Sequence, residues 1–205
     1  MVVKLYVEGG GDSERLHRLC RKGFQGFLEQ AGLKGSMPRI VACGGRQTAY
    51  DRFKTACKAN ETALLLIDSE ERVSVSSPWE HLQKEGFCPP DNAGDTRCHL
   101  MVVCMESWFL ADKGALSRFF GQGFNAGALP KSEDIETISR QEVYEGLQKA
   151  SLHCKTKAPY GKGAHSFALL LLIDPLKVAD ASPWTARFLK ELKCIMKPSS
   201  SGGGC

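Results

Sequence analysis

The sequence predicts an α/β protein: an open, mainly parallel four-stranded sheet flanked by helices, followed by a mostly helical C-terminal extension. Short apolar runs alternate with longer segments whose apolar residues recur at helical spacing. The run TALLLID at residues 62–68 is apolar on both faces, as expected of a central parallel strand. Such alternation of strands and helices favours a parallel sheet covered by helices on both faces.

The first half of the chain predicts a β-α-β-α-β order. Residues 2–7 read as a short buried strand, and Asp12 is expected to cap the helix that follows. A second strand is predicted at residues 38–45, a second helix from Thr48 to about Lys58, and the third strand at residues 62–68.

The second half reads as a loop-rich stretch, one more strand and a series of helices. The fourth strand is predicted at residues 99–105. Helices are predicted at residues 76–83, 107–120, 139–153, 166–172 and 183–196. We therefore expect an α/β core at residues 1–115, a helical extension with a basic loop packed on it at residues 116–197, and a disordered tail at residues 198–205.

Composition points to a soluble cytoplasmic protein. The 205 residues carry a net charge of +4, which permits nucleic-acid binding without requiring it. The longest apolar run, residues 167–173, is far shorter than the ~20 residues that span a membrane. The nine cysteines show no CxxC pair, so free thiols in a reducing compartment are expected. A zinc site is the alternative for one cluster: Cys88, Cys98, His99 and Cys104.

Carboxylates follow three of the predicted strands. Glu8 ends the first, Asp68 ends the third with Glu70 two residues later, and Glu106 follows the fourth. Carboxyl ends of parallel strands share one edge, and like charges held close require a cation or a proton. Oxygen ligands suit Mg²⁺ or Mn²⁺, and the D-x-E spacing would let both carboxylates face one ion. The alternative is that these residues are unrelated helix caps and loop residues.

The glycines after Glu8 match no common phosphate-binding motif. A P-loop requires a GK[ST] sequence after its glycines, and a dinucleotide fingerprint requires glycine where Glu14 stands. The turn at Gly9 and Gly10 would therefore keep the backbone close to a carboxylate. Phosphate is expected there only through a metal or a nearby cation.

Two places could supply that cation. Arg46 stands at the predicted start of the second helix, where backbone N–H groups favour an anion. The alternative interpretation is that Arg46 is an ordinary surface residue. The basic loop carries Lys155, Lys157 and Lys162 ahead of His165, with glycines on both sides of Lys162. The alternative for this loop is a solvated connection without a binding role. His165 is either a proton shuttle or a buried histidine whose hydrogen bonds are satisfied within the protein.

Two segments resemble the Toprim domain of topoisomerases, bacterial primases and certain nucleases. These are VEGGGDSE at residues 7–14 and LLLIDSEE at residues 64–71, and the resemblance spans about residues 1–115. It implies a Rossmann-like core, general acid/base or metal-binding work for Glu8, and Mg²⁺ binding by Asp68 and Glu70. Glu70 departs from the pattern, because many Toprim proteins have aspartate there.

The chain more specifically resembles DUF4276, a family of small bacterial and phage Toprim-like proteins. The supporting segments are ACGGRQTAYD, HLMVVCMESWFLAD and KAPYGKGAHSF, within about residues 1–195. The resemblance implies a neighbouring ATPase and a bacterial or phage-defence setting.

The expected function is therefore a Mg²⁺- or Mn²⁺-dependent phosphodiesterase, a Toprim-type nuclease acting on DNA or RNA. The first alternative is a non-catalytic partner or effector subunit of an ATPase-containing complex that keeps the Toprim shell. The second is nucleotidyl or phosphoryl transfer resembling primase chemistry.

Overall fold

A computed structural model describes residues 2–197 and contains one four-stranded sheet with every strand pair parallel, in the order β2-β1-β3-β4. The strands are β1 (Val3–Val7), β2 (Arg39–Ala42), β3 (Thr62–Asp68) and β4 (Cys98–Met101). Helices cover the sheet, so the predicted α/β class is confirmed. The tail predicted at residues 198–205 lies outside the described residues.

The helices follow the predicted order with one addition. They are α1 (Glu14–Leu28), α2 (Arg46–Lys58), α3 (Pro78–Gln83), α4 (Lys113–Phe120), α5 (Arg140–Ser151), α6 (Ala164–Leu170), α7 (Pro175–Ala181) and α8 (Pro183–Met196). The sequence reading missed α7, although its local start signal is present: Asp174 caps the helix and Pro175 occupies its first turn. No helix within the described residues is both long and apolar enough to cross a membrane.

The cap predicted for α1 is wrong by one residue. Ser13 is extended and its side chain accepts a hydrogen bond from the backbone N–H of Leu16 at 3.1 Å. Asp12 instead stands in the glycine turn and lines a cavity described below.

The fourth strand is shorter than predicted because the chain turns at Val103. Val103 has a φ of 62°, an uncommon conformation for a β-branched residue. Its N–H donates to the hydroxyl of Ser69 at 2.7 Å, which ties this turn to the end of β3. The chain then enters a 3₁₀ segment, Met105–Asp112, so the single helix predicted at residues 107–120 is divided in two.

The C-terminal helices pack directly on the sheet layer. A β-carbon at Gly23 of α1 would lie 2.8 Å from the carbonyl oxygen of Phe167, so α6 approaches α1 as closely as a glycine allows. Phe188 of α8 contacts the buried His99 of β4, with ring centroids 5.1 Å apart. The predicted boundary between residues 115 and 116 falls inside α4.

Candidate metal centre

Three carboxylates meet at the carboxyl edge of the sheet. Glu8, Asp68 and Glu70 each offer an oxygen that lies within 4.8 Å of the others, a spacing that one metal ion could bridge. Glu8 and Asp68 reach this point from the ends of β1 and β3. Glu70 arrives through a turn with a φ of 64°, and not through the extended alternation expected from the D-x-E spacing.

Glu8 is oriented by the backbone of the neighbouring strand. Its Oε2 accepts a hydrogen bond from the N–H of Asp68 at 3.0 Å. Burial raises the pKa of Glu8, and the negative charge of Glu70 acts in the same direction. The N–H of Asp68 and the charges of Arg46 and Arg140 oppose this rise without cancelling it.

Asp68 is the most enclosed member of the trio, with 5% of its surface exposed. Its Oδ1 accepts the N–H of Met105 at 2.9 Å. Burial raises its pKa well above the usual range, and the nearby charges of Glu8 and Glu106 raise it further. Ionised Asp68 is therefore costly unless a cation compensates its charge.

Arg140, which the sequence analysis missed, supplies one such cation. Its Nη2 lies 3.1 Å from Oδ2 of Asp68, and its Nη1 pairs with Glu70. Nη2 also donates to the carbonyl oxygen of Val103 at 3.3 Å. Burial alone would lower the pKa of Arg140, but Asp68 and Glu70 raise it above its ordinary value. Its position at the start of α5 follows from the local Ser139 capping box, yet no local signal ties it to the sheet edge.

Glu106 lies beside the trio and is surrounded by three hydroxyl groups. It is 1% exposed, and Tyr144 donates to its Oε2 at 3.1 Å. Tyr160 and Ser166 lie 3.2 Å and 3.1 Å from its Oε1, and 2.8 Å from each other. Two hydroxyl protons serve three short contacts, so two of these contacts are hydrogen bonds at any moment. Ligation of a metal by Glu106 stays a prediction, and the sequence analysis missed its three partners.

A cavity of about 470 Å³ opens between Glu8 and Asp68 of the trio and the start of α6. Glu8, Asp68 and Glu106 line one side, and Lys162, Gly163 and Phe167 line another. A larger cavity, about 550 Å³, lies between α2 and the strands β1 and β2, near the Lys4–Glu61 ion pair. We assign function to the smaller one, because ligands of open parallel sheets bind outside the carboxyl ends of the strands.

The glycine turn is paired with the start of α2. Gly9 and Gly44 exchange two backbone hydrogen bonds of 2.8 and 2.9 Å. A β-carbon at Gly44 would lie 2.6 Å from the carbonyl oxygen of Gly11, and one at Gly10 would lie 2.5 Å from the His17 ring. Close backbone packing thus explains these glycines. Phosphate binding by Gly9 and Gly10 stays a prediction. The N–H of Gly9 already donates to the carbonyl oxygen of Gly44.

The predicted cations are distributed unevenly around the cavity. Lys162 lies at the rim, with its Nζ 5.3 Å from the centre of the Tyr144 ring. Arg46 pairs with Glu85 through both terminal nitrogens and stacks on Phe87, although its charge still acts on Glu8. These contacts hold Arg46 in place before any ligand arrives.

Lys155, Lys157 and His165 of the basic loop do not line the cavity. Lys155 and Lys157 are exposed, and Nζ of Lys157 lies 4.7 Å from the centre of the Phe119 ring. His165 accepts the N–H of Gly161 through Nδ1 at 3.2 Å. Burial and the nearby charge of Lys157 lower the pKa of His165. Its geometry is that of a histidine which supports the loop.

Within residues 2–197, the carboxylate trio is the only group of three or more potential ligands close enough to share an ion. Cys88, Cys98, His99 and Cys104, the cluster suspected of binding zinc, therefore do not come together in the described part of the chain. Burial raises the pKa of Cys98 and Cys104, which disfavours the thiolate form that zinc requires.

One comparison with known proteins found a match. The family model described as a domain of unknown function, DUF4276, matches residues 7–193. No curated protein and no solved structure matched the chain.

Proposed function

The chain belongs to the DUF4276 family, whose description names no activity, and we propose that it is a metal-dependent phosphodiesterase, a Toprim-type nuclease that cleaves DNA or RNA. The observation that carries this proposal is the convergence of Glu8, Asp68 and Glu70 on one point at the carboxyl edge of a parallel sheet. The cavity beside them is large enough for a nucleotide, and Lys162 lies at its rim.

The donor set fits a hard divalent cation such as Mg²⁺ or Mn²⁺, because it consists of carboxylate oxygens alone. Glu8, Asp68 and Glu70 would hold the ion. When bound, such an ion lowers the pKa of a water molecule and neutralises charge on a phosphodiester. The N–H groups of Asp68 and Met105 orient the Glu8 and Asp68 carboxylates.

The remaining residues of the cavity bind and orient the substrate. Lys162, set between two glycines at the rim, is placed to hold a phosphate group. Arg46 contributes positive potential near Glu8 while it stays paired with Glu85. A proton-transfer role for His165 and backbone contacts from Lys155 and Lys157 stay predictions. By the family resemblance, we further propose a nearby-encoded ATPase as partner and a bacterial or phage-defence role.

A non-catalytic subunit is the second candidate function. It is favoured by one observation: Arg140 already pairs with both Asp68 and Glu70, so the protein itself compensates part of the carboxylate charge. In this reading the site is a docking surface for a partner protein.

Incubation of the purified protein with plasmid, single-stranded DNA and tRNA distinguishes the two. Each substrate is tested with Mg²⁺, Mn²⁺ or EDTA, beside a Glu8→Gln/Asp68→Asn variant. A matched control, Glu133→Gln/Asp91→Asn, removes the same charges from exposed positions. We expect cleavage that requires the metal, disappears in the first variant and persists in the control. Folded protein that neither cuts nor binds metal would leave the non-catalytic function.

A further inference from the structure

We propose that Arg140 is a built-in counter-cation that shares the metal position with the ion, and that it passes from the carboxylates to a substrate phosphate when the metal binds. This inference rests on the proposed function. It adds a mechanism by which the site would take up metal and phosphate together.

The contacts of Arg140 place it in competition with a metal. One guanidinium nitrogen lies 3.1 Å from Asp68 and the other pairs with Glu70, and both carboxylates belong to the proposed ligand trio. A divalent ion among these oxygens would stand close to a positive guanidinium inside a partly desolvated site. Repulsion between the two cations therefore opposes simultaneous occupancy unless an anion joins them.

The side chain is held in a way that permits exchange. Arg140 is 32% exposed at its side chain, and its contacts to Asp68, Glu70 and Val103 all involve the two terminal nitrogens. Its Nε is buried and has no hydrogen-bond partner. The present position of the guanidinium therefore leaves one donor unsatisfied, which a rotated position beside a ligand could satisfy.

A phosphate group could bind next to the Arg140 guanidinium. Tyr144 follows Arg140 by one helical turn on the same face of α5, and Lys162 of the cavity rim lies over the Tyr144 ring. Arg140 is therefore one helical turn from the ring on which Lys162, a residue of the cavity lining, rests. A guanidinium matches a phosphate group with two parallel hydrogen bonds, so a phosphate arriving there offers a better partner than a carboxylate already claimed by a metal.

Competition of this kind makes metal and phosphate binding cooperative. In the free protein, Arg140 weakens metal binding because the ion must displace it. A bound phosphate accepts Arg140, releases the carboxylates and strengthens metal binding, and the metal strengthens phosphate binding by the same factor. Cleavage chemistry would then be assembled only when substrate is present.

Titration of Mn²⁺, followed by the loss of the free-ion electron paramagnetic resonance signal, tests this without measuring activity. The probe anion is deoxythymidine 3′,5′-bisphosphate. The variants are Arg140→Gln and, as a matched control, Arg39→Gln, which removes an exposed arginine at the opposite, amino-terminal edge of the sheet. Arg140→Lys is a second test variant, because a single ammonium cannot bridge both carboxylates with two nitrogens.

Without the nucleotide, we expect Arg140→Gln to bind Mn²⁺ about 5- to 150-fold more tightly than the unmodified protein, the range typical of coupled sites. Arg140→Lys should shift in the same direction, and Arg39→Gln should not. The nucleotide should tighten Mn²⁺ binding to the unmodified protein and leave Arg140→Gln almost unchanged.

Two failures are distinguishable. Mn²⁺ binding by the unmodified protein that is equal or weaker in both Arg140 variants overturns this inference and leaves the proposed metal site intact. Absence of Mn²⁺ binding in every folded variant, with or without nucleotide, overturns the metal site itself. If Arg140→Gln does not fold, the Arg140→Lys titration decides by the same criterion.

Discussion

The backbone N–H of Asp68 donates a hydrogen bond to Oε2 of Glu8 at 3.0 Å, so the last residue of β3 orients the carboxylate that follows β1. The two residues are therefore linked in two ways. The negative charge of Glu8 adds to the effect of burial and raises the pKa of Asp68. Their backbone-to-side-chain bond nevertheless holds them together.

This relationship predicts different effects for two substitutions at Glu8. Glu8→Gln keeps an oxygen that accepts the hydrogen bond from the Asp68 N–H. It also removes a carboxyl group whose pKa is already raised, so the free energy of unfolding should change little. Glu8→Ala leaves that N–H unpaired and should cost about 1–3 kcal/mol. Urea unfolding of both variants measures the difference. Equal losses would show that the amide oxygen introduced by Glu8→Gln does not replace the carboxylate as an acceptor.

The pairing of the glycine turn predicts that neighbouring glycines differ sharply. Gly44 has a φ of 73°, and a β-carbon there would press on the carbonyl oxygen of Gly11. Gly44→Ala should therefore lower the free energy of unfolding by about 1–3 kcal/mol or more. Gly45 is exposed, has an ordinary φ of −82° and has open space around its β-carbon position, so Gly45→Ala should cost less, at most about 1 kcal/mol for a poorer N-cap of α2. Thermal or urea unfolding of the pair checks this, and similar losses would contradict it.

The hydroxyl cluster predicts that Glu106 contributes more to stability than to metal binding. Both of its oxygens accept hydrogen bonds from hydroxyl groups, so Glu106→Ala, which leaves buried Tyr160 and Ser166 without this acceptor, should cost about 1–3 kcal/mol. Glu106→Gln keeps one acceptor oxygen and should cost less. Urea unfolding gives the stabilities. The Mn²⁺ dissociation constant of Glu106→Gln should match that of the unmodified protein, and a tenfold weakening would make Glu106 a ligand as the sequence suggested.

The buried His99 predicts loss of stability in acid. Burial, together with the charge of Arg187, lowers its pKa to about 3, while a hydrogen bond with the backbone of Thr96 opposes this shift. Oε2 of Glu191 lies 3.8 Å from Nε2 of His99 and would favour the charged ring. We give more weight to burial, because the Glu191 carboxylate is already shared with Arg187 at 3.1 Å.

The sign follows from proton binding in the two states. Between pH 6.5 and about 3 the unfolded chain binds a proton that folded His99 does not, so stability falls as the pH decreases, by up to about 1.4 kcal/mol per pH unit. Urea unfolding at several pH values should show a shallower dependence for His99→Gln than for the unmodified protein. The same substitution at exposed His153 is the control. Identical slopes in the protein and His99→Gln would mean that Glu191 keeps the ring protonated.

The parts of the site that the sequence predicted are those with local signals. Glu8 and Asp68 directly follow apolar runs, and parallel pairing then brings the ends of those runs to one edge. The length of β4 was overestimated because Val102 and Val103 favour strands. Their departure from the sheet depends on Ser69, which belongs to another segment of the chain.

The missed residues share a different property: their partners are far away in sequence. Arg140 is 72 residues from Asp68, and Tyr160 and Ser166 are 54 and 60 residues from Glu106. Helix periodicity and capping place such residues on their own elements correctly. Which distant carboxylate they reach depends on how the extension packs against the sheet, and no local pattern encodes that.

The separation in sequence has a consequence for how the protein is made. A ribosome releases the acidic residues Glu8, Asp68, Glu70 and Glu106 before the residues that compensate them. Until Arg140 and the hydroxyl groups of α5 and α6 emerge, the nascent chain carries clustered carboxylates whose repulsion opposes burial of that edge. The sheet can pair its strands during synthesis, but its acidic edge should close only after Ser166 has left the exit tunnel. Translation of the extension would then act as the last step of folding.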